Sequence, residues 1–310
     1  MTSTTAAQPG TDQARPEGAA PAPVLILVEG AYGPAAGGAP DFREADPSAA
    51  QLLVTDFVAT RGDGVFETLG AFDGTLANVG PHLDRLTRSA AMIDLAGPDH
   101  DVLRAALEAA VAAHPPVPEL TVRLSLTRGV EGSGVPSCWI HARVADDYAP
   151  ARAGLSVVSL DRGLPTTAPA SSPWLLAGAK TLSYAVNMAV LREAQRRGAE
   201  EVLFVSSEGY ALEGPTSTLL VRLGDRWVTT PVDAGVLPGT SVASAFALLR
   251  AEGAECGEEL LTIEQVREAD AAWLLSSGRL AAPIRQLDGV DLPVDAALTA
   301  RLGDAIAGRA

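Results

Sequence analysis

The sequence predicts a mixed α/β protein built as two units. Three observations carry this. The chain has 310 residues, enough for roughly two domains. Beyond residue 23, stretches with period-2 apolar alternation are interspersed with stretches of helical spacing. A polar, proline-bearing stretch, Ala145 to Gly154, divides the two sets. Hydrophobic residues make up 47% and charged residues 20%, a composition that gives a soluble globular chain a large core.

Residues 1–22 are mostly Ala, Pro, Thr, Gly and Gln. They cannot bury enough apolar surface to offset ordering entropy, so a disordered tail is predicted. The stretch has no basic start and no apolar run, and does not read as a secretory signal. The first unit is expected over residues 23–148. Val24 to Val28 is a short apolar strand, and the Gly/Pro/Ala-rich stretch from Gly30 to Pro47 reads as loop. Gly62-Asp63-Gly64 is a tight turn leading into a strand from Val65 to Ala71. Asp73-Gly74 marks a hairpin, with Thr75 to Val79 returning. Leu83, Leu86, Ala90 and Ile93 recur at spacings of three and four, an amphipathic helix over Pro81 to Leu95; Asp101 to Ala113 is a second helix. Leu120, Val122, Leu124 and Leu126 alternate, a strand with one buried face, and Trp139 to Val144 is another.

A linker is expected over 149–154 and the second unit over 155–310. Leu155 to Leu160 is a strand, Asp161 to Pro173 loop, and Thr181 to Arg197 a helix that stops at Gly198. Tyr184, Met188, Leu191 and Ala194 share a face of that helix. Strands follow at Glu201 to Val205, at Tyr210 to Leu223 with a break at Gly214-Pro215, and at Trp227 to Thr230. Val242 to Glu252 and Ile263 to Glu268 are helices, Trp273 to Ser276 a strand, and Pro293 to Gly308 a terminal helix.

The formal net charge of −15 argues against nucleic acid and against anionic membrane surfaces as partners. No apolar run approaches the length of a membrane span. Cys138 and Cys256 have no metal-ligand spacing and form no disulfide framework, so a reducing cytoplasm is expected and no metal is.

Of the 23 Lys and Arg residues, one is a lysine: Lys180. Arginine stays protonated near neutral pH and cannot act as a nucleophile, whereas a desolvated lysine can. Leu175, Leu176, Ala177, Gly178 and Ala179 precede it, all apolar or small. Burial among them would lower its pKa. Three later features complement a lysine that holds an aldehyde cofactor. Glu213, before Gly214-Pro215, could hydrogen-bond a protonated ring nitrogen, or be a solvated edge glutamate. Leu237-Pro238-Gly239-Thr240-Ser241 opens a helix and offers free N–H groups and two hydroxyls to an anion, or forms an ordinary helix cap. Ser276-Ser277-Gly278 ends a strand with small hydroxyl residues.

Taken in order, Arg61 to Thr68, the Lys180-Thr181-Leu182-Ser183-Tyr184 run, Leu212 to Ser217 and Leu237 to Ser241 resemble the class IV, or fold type IV, pyridoxal-phosphate enzymes. These comprise branched-chain aminotransferases, D-amino-acid aminotransferases and aminodeoxychorismate lyases. The resemblance covers about residues 50–290 and is nearest to the lyase branch. It implies a small α+β domain, a larger barrel-like domain of the D-amino-acid aminotransferase kind, a site between them and a homodimer. It implies pyridoxal 5'-phosphate as cofactor, with Lys180 as the lysine bonded to it and the proton shuttle. Glu213 would pair with the pyridine nitrogen. Arg85, in His82-Leu83-Asp84-Arg85, Thr240, Ser241 and Ser277 would hold the phosphate. Tyr184 falls one residue short of the tyrosine near the cofactor's phenolate oxygen. Two positions depart from the family: Arg61 stands where an aromatic residue usually precedes Gly-Asp-Gly, and Ser183 where an asparagine is usual.

The function this implies is 4-amino-4-deoxychorismate lyase, releasing pyruvate to give 4-aminobenzoate for folate synthesis. Arg61 and Arg128 are candidates for the two carboxylates of that substrate; Arg61 could instead pair with Asp63, Asp56 or Glu67. A branched-chain or D-amino-acid aminotransferase is the alternative within the family. A non-catalytic scaffold or binding protein on the same fold is the alternative from another class, and retention of the sole lysine argues against it.

Overall fold

The computed structural model describes residues 20–33 and 41–309; most of the tail expected over residues 1–22 lies outside the described residues, as does the middle of the expected Gly30–Pro47 loop. In chain order the first set of elements is β1 Val24–Val28, β2 Phe42–Ala45, α1 Phe57–Arg61, β3 Gly64–Phe72, β4 Thr75–Leu76, α2 Val79–Met92, α3 His100–Ala113, β5 Glu119–Thr127 and β6 Ser137–Val144. The short helix α4, Ala149–Ala153, follows. The second set is β7 Leu155–Asp161, α5 Ala168–Ser171, α6 Ala185–Arg196, β8 Glu201–Val205, β9 Glu213–Gly214, β10 Ser217–Leu223, β11 Arg226–Thr229, α7 Thr240–Ala251, β12 Glu255–Glu258, α8 Ile263–Arg267, β13 Ala271–Ser276, β14 Leu280–Leu287, β15 Val290–Asp291 and α9 Ala296–Ala307.

The first set forms an antiparallel sheet in the order β2-β1-β6-β5-β3-β4. Its apolar face packs on α2 and α3: Val65, Leu69, Leu83, Leu86, Leu103, Leu107, Val122, Leu124 and Ile140 meet there. The second set forms a mixed sheet, β12-β11-β10-β13-β14-β7-β8, with β15 on β14 and β9 on β10. One of its faces packs on α7 and α9 through Leu220, Trp273, Phe246, Leu249 and Leu302, a core that also takes in Phe72 and Ala77 of the first set. The other face buries Val157, Leu203, Leu219, Leu274, Ile284 and Val266. The mixed α/β class expected from the sequence is the one observed.

Strand alternation decides what faces the space between the sheets. In β5 the apolar positions turn to the helices, and the polar face, with Thr121 and Arg123, lines a cleft. In β3, Phe66 and Thr68 line the same cleft, whereas Glu67 shares the inward face of Val65 and Leu69. Helix ends are defined by side chains. Asp99 accepts from the N–H groups of Asp101 and Val102 at α3, Thr262 and Gln265 form a capping box at α8, and Asp295 caps α9.

Several expectations are corrected. β2 lies inside the expected loop, paired with β1. α4 occupies the expected linker, and α5 lies in the expected Asp161–Pro173 loop. β12 and β14 are additional strands; β14 carries Pro283, a residue that argues against a strand interior. The helix expected from Thr181 starts at Ala185, because the preceding backbone belongs to β3. Phe66 N–H donates to the Lys180 carbonyl at 3.0 Å, and Leu182 N–H to the Gly64 carbonyl at 2.8 Å. Among the described residues, no helix is long and apolar enough to cross a membrane.

Candidate active site

A cleft of about 830 Å³ lies between the sheets, and Lys180 is on its wall. Its backbone is held from two sides: the N–H donates to Ser89 Oγ on α2 at 3.1 Å, and the carbonyl accepts from Phe66 of β3. The Gly62-Asp63-Gly64 turn explains itself here. Gly62 has φ 67°, and a Cβ on it would stand 2.7 Å from Ser183 Oγ; a Cβ on Gly64 would stand 2.7 Å from the Leu126 carbonyl. The two glycines let the lysine segment dock. Lys180 Nζ lies 4.6 Å from the centre of the Phe66 ring. Burial and then the Arg85 charge lower its pKa to about 8, against the pull of Glu67 and Glu213.

Behind the lysine lies a buried charge cluster. Helix α2 carries a polar stripe, His82, Arg85 and Ser89, beside its apolar one. Arg85 donates Nε to Glu67 Oε1 at 2.8 Å and Nη2 to Oε2 at 2.6 Å, while His82 Nδ1 stands 2.7 Å from Oε2. Glu67 is fully buried, which alone would raise its pKa; the charge and hydrogen bonds of Arg85, with His82, hold it instead at about 2. Arg85 Nη1 also donates to the Pro238 carbonyl at 3.1 Å, tying α2 to the turn before α7. No side chain caps α7, and Gly239, Thr240 and Ser241 all line the cleft. A Cβ on Gly239 would stand 2.3 Å from Thr218 Oγ1, so the turn needs glycine there. Ser277 Oγ completes the cradle, 3.1 Å from His82 Nε2, with Thr240 Oγ1 3.3 Å from the same nitrogen. Arg85, Thr240, Ser241 and Ser277 are therefore brought together, around a helix N-terminus suited to an anion.

Glu213 lines the same cleft. Its Oε2 accepts from Leu237 N–H at 3.0 Å, and Arg162 Nη1 is 3.4 Å from Oε1. Its side chain is 13% exposed, so it is not a solvated edge residue; burial raises its pKa, opposed by Arg162 and the Leu237 N–H. Tyr184 lines the cleft, edge-on to Phe66 at 5.3 Å, and its hydroxyl donates to the Pro215 carbonyl at 2.7 Å. Burial and the nearby Glu213 charge push its pKa up to about 12, so it stays a donor.

Arg61 and Arg128 do not line this chain's cleft. Arg61 ends α1, exposed, and donates to the Thr60 carbonyl; it makes none of the ion pairs considered for it. Arg128 holds the turn, donating to Asp63 at 2.6 and 3.2 Å and to the Ile93 carbonyl at 2.5 Å. The cleft has other arginines. Arg143 pairs with Asp146, Arg279 with Glu201 and Arg162 with Glu213. Arg123 has no carboxylate within pairing distance among the described residues; its guanidinium lies 5.2 Å from the Phe66 ring centre. A more open hollow of about 600 Å³ beside α9 holds none of these groups.

The family model for amino-transferase class IV matches residues 64–287. The chain belongs to the class IV amino-transferases. A bifunctional aminodeoxychorismate lyase / D-amino acid transaminase from Mycobacterium tuberculosis (strain ATCC 25618 / H37Rv) is 42% identical, over 80% of this chain and 89% of that protein. A fold IV transaminase from Curtobacterium pusillum superposes with a TM-score of 0.89 at 45% identity, covering 93% of this chain and 98% of that one. A hypothetical aminotransferase from Mycobacterium tuberculosis, solved in a PLP-bound form, superposes with a TM-score of 0.84 at 39% identity, covering 91% and 98%. It is also solved in an alpha-ketoglutarate and PMP bound form, with a TM-score of 0.85 at 38% identity, covering 92% and 100%. This class IV protein is an enzyme, a lyase or an aminotransferase, whose cofactor is pyridoxal 5'-phosphate. The donor set fits that group: one lysine with a lowered pKa, a largely covered carboxylate on the same cleft, and an uncapped helix N-terminus beside Arg85 and three hydroxyls.

Proposed function

We propose that the enzyme is a 4-amino-4-deoxychorismate lyase. The observation that carries the reading is Arg123, a cleft guanidinium left without a carboxylate among the described residues, a short way along the wall from Lys180. A substrate with two carboxylates supplies a partner for it, as aminodeoxychorismate does through its ring or its enolpyruvyl carboxylate, whereas leucine and D-alanine bring only one. In this reading Arg123 takes the role first sought in Arg61 and Arg128. The 42% identity to a protein carrying both lyase and D-amino acid transaminase names supports the substrate class.

When bound, pyridoxal phosphate supplies an aldehyde for the substrate amine and a ring that withdraws electrons from the amine-bearing carbon. Arg85, Thr240, Ser241 and Ser277 would hold its phosphate. Glu213 would pair with the pyridine nitrogen, and Tyr184, whose single hydroxyl hydrogen goes to the Pro215 carbonyl, would stand on the phenolate side. Lys180 Nζ takes the proton from the amine-bearing carbon, which its pKa of about 8 allows near neutral pH. The same amine returns the proton toward the departing ether oxygen. Loss of the proton and of enolpyruvate leaves an aromatic ring, 4-aminobenzoate, and enolpyruvate becomes pyruvate.

D-amino-acid transamination at the same site is the second reading, favoured by the same 42% identical relative. The enzyme acts as a homodimer in our reading: Trp174, Val186 and Met188, which line or flank the cleft, are 73%, 65% and 47% exposed in the single chain. The two cysteines are free, which suits the cytoplasm. Purified enzyme loaded with cofactor is given aminodeoxychorismate, and separately D-alanine or leucine with 2-oxoglutarate. Release of 4-aminobenzoate and pyruvate is expected. Efficient leucine transamination with no 4-aminobenzoate would overturn the lyase assignment, and a monomer by light scattering would overturn the dimer.

A further inference from the structure

The cradle assigned to the phosphate contains a histidine that no step above uses. His82 is 1% exposed, on α2, and three elements converge on its ring. Its Nδ1 is 2.7 Å from Glu67 Oε2. Glu67 is an ionised carboxylate and can only accept, so the hydrogen sits on Nδ1. In the neutral ring Nε2 is then an acceptor. It offers one lone pair to two hydroxyls, Ser277 Oγ at 3.1 Å and Thr240 Oγ1 at 3.3 Å.

An anion in the cradle changes this arrangement. Each hydroxyl has a single hydrogen. Once Ser277 and Thr240 donate to phosphate oxygens, neither has a hydrogen left for His82. A neutral Nε2 would then be a buried acceptor with nothing to accept from, which costs the full desolvation of that group. A proton on Nε2 removes the conflict. The ring donates to the hydroxyl oxygens, and the hydroxyls donate to the phosphate. We propose that the Glu67–His82 pair is part of the phosphate site and that anion binding there is coupled to uptake of a proton by His82. The inference rests on the reading that this cradle holds the cofactor's phosphate.

The charges around the ring support the direction. The groups facing it are Glu67 on β3, Arg85 on the same helix and Lys180 from the segment before α6; the contacts from α7 and from the end of β13 are hydroxyls. Before the anion enters, burial keeps the His82 pKa below its ordinary 6.5, against the pull of Glu67 and with a push from Arg85 and Lys180. Glu67 and Arg85 cancel each other. A phosphate dianion is then the one added charge, and it stabilises the imidazolium. Fixed in this way, His82 is a positioning residue that acts on the cofactor through Ser277 and Thr240.

The test uses inorganic phosphate as probe, because it forms no bond to Lys180. Calorimetric titration of the cofactor-free protein at about pH 8, in two buffers of different ionisation enthalpy, counts protons taken up per phosphate bound. Inorganic phosphate is mostly the dianion at that pH, as the cofactor's monoester is above about pH 6, and the probe's own ionisation is subtracted. Uptake of at least about half a proton is expected, with affinity falling up to about tenfold per pH unit between the free-state and the bound-state pKa of His82. His82→Gln should bind phosphate more weakly, take up at least about half a proton less than wild type and show a shallower pH slope; what uptake remains belongs to Lys180, which titrates at about 8. Should this variant not fold, long-range nitrogen–proton NMR of the wild type reads Nε2 directly: an acceptor without phosphate, protonated with it. Zero uptake in the wild type, an Nε2 that stays unprotonated, or uptake undiminished in His82→Gln overturns the coupling. Wild type that binds no phosphate overturns the cradle itself and the coupling with it.

Discussion

The amine of Lys180 sits 4.6 Å from the centroid of the Phe66 ring, on a residue that also meets the Arg123 guanidinium and the edge of Tyr184. One aromatic ring therefore touches the base, the rim cation and the phenol. A π face favours the charged amine, by about 0.5–1 kcal/mol at an accessible site, while burial disfavours it. Burial wins. The titration of this lysine can be read without assignment, since it is the only one in the chain. With carbon-13 lysine incorporated, the cofactor-free wild type should show one lysine titrating at about 8, not at the ordinary 10.5. Phe66→Leu should lower the midpoint further, by less than about one pH unit. A wild-type midpoint above 10 would mean a solvated amine and would remove Lys180 from the role of base.

Lys180→Ala should abolish turnover, with a loss of at least about a hundredfold from the proton transfer alone. Folding should survive, because the backbone bonds of this residue to Ser89 and Phe66 do not involve its side chain. Near-wild-type rates in the variant would end the assignment.

The Glu67–Arg85–His82 cluster makes an acid-sensitive core. Glu67 has a folded pKa of about 2 against an ordinary 4.5, so its contribution is complete above 4.5 and is lost as pH falls toward 2. His82 is held below 6.5, so the unfolded chain binds its proton first and stability falls in the same direction below that pH. Glu67→Gln strands Arg85 in the core and should cost about 3–5 kcal/mol. Urea unfolding across pH checks both statements. A loss under about 1 kcal/mol would show that Arg85 is solvated after all.

Much of this site could be read from residues alone. The sole lysine, the Gly62-Asp63-Gly64 turn and the Gly239-Thr240-Ser241 turn all announced themselves, because each is a residue type that physics restricts to few uses. Glu67 and His82 did not. Both occur in stretches that the sequence marked, but their meaning depends on which face they occupy. Glu67 sits at an inward position between Val65 and Leu69, and that break in the alternation was the available signal. His82, Arg85 and Ser89 follow helical spacing beside the apolar stripe of α2, a second signal. Arg123 looked like the solvent face of a half-buried strand; only the second sheet, opposite, turns that face into a cleft wall. The late start of α6 was hidden for a similar reason, since β3 claims the Lys180–Leu182 backbone over a long sequence separation.

Glu213→Gln should keep the cofactor and slow the chemistry. Glu213 Oε2 accepts from Leu237 N–H, and the amide oxygen of glutamine can do the same. What the amide cannot do is hold a pyridine nitrogen protonated. Cofactor absorbance after dialysis should match wild type, while the rate of turnover falls. Arg85→Ala and Thr240→Ala should show the reverse pattern, losing cofactor on dialysis, since each removes a bond to an anion worth about 1.5–3 kcal/mol. Unchanged retention in both would remove them from the phosphate site.

The last expectation separates lyase from aminotransferase. Arg123 stands in the middle of β5 on its polar face, with Thr121 beside it on the cleft wall and Phe66 of β3 beneath its guanidinium. Every other cleft arginine has a carboxylate: Arg85 has Glu67, Arg143 has Asp146, Arg162 has Glu213 and Arg279 has Glu201. A substrate carboxylate that meets Arg123 competes with no protein group, and aminodeoxychorismate brings one more carboxylate than leucine or D-alanine does. Arg123→Met keeps much of the apolar stem and removes the charge. It should raise KM for aminodeoxychorismate about tenfold or more, through the loss of one charged hydrogen bond, with kcat changed less. The D-alanine half-reaction, followed by cofactor absorbance without 2-oxoglutarate (itself a dicarboxylate), should change little. Arg61→Phe serves as the comparison, since Arg61 lies outside this chain's cleft. In a monomer it should leave both reactions alone, and an effect on KM equal to that of Arg123→Met would place Arg61 in the site of a second subunit. If Arg123→Met leaves lyase kinetics unchanged, the unpaired guanidinium has no part in substrate binding, and the argument for a dicarboxylate substrate loses its support.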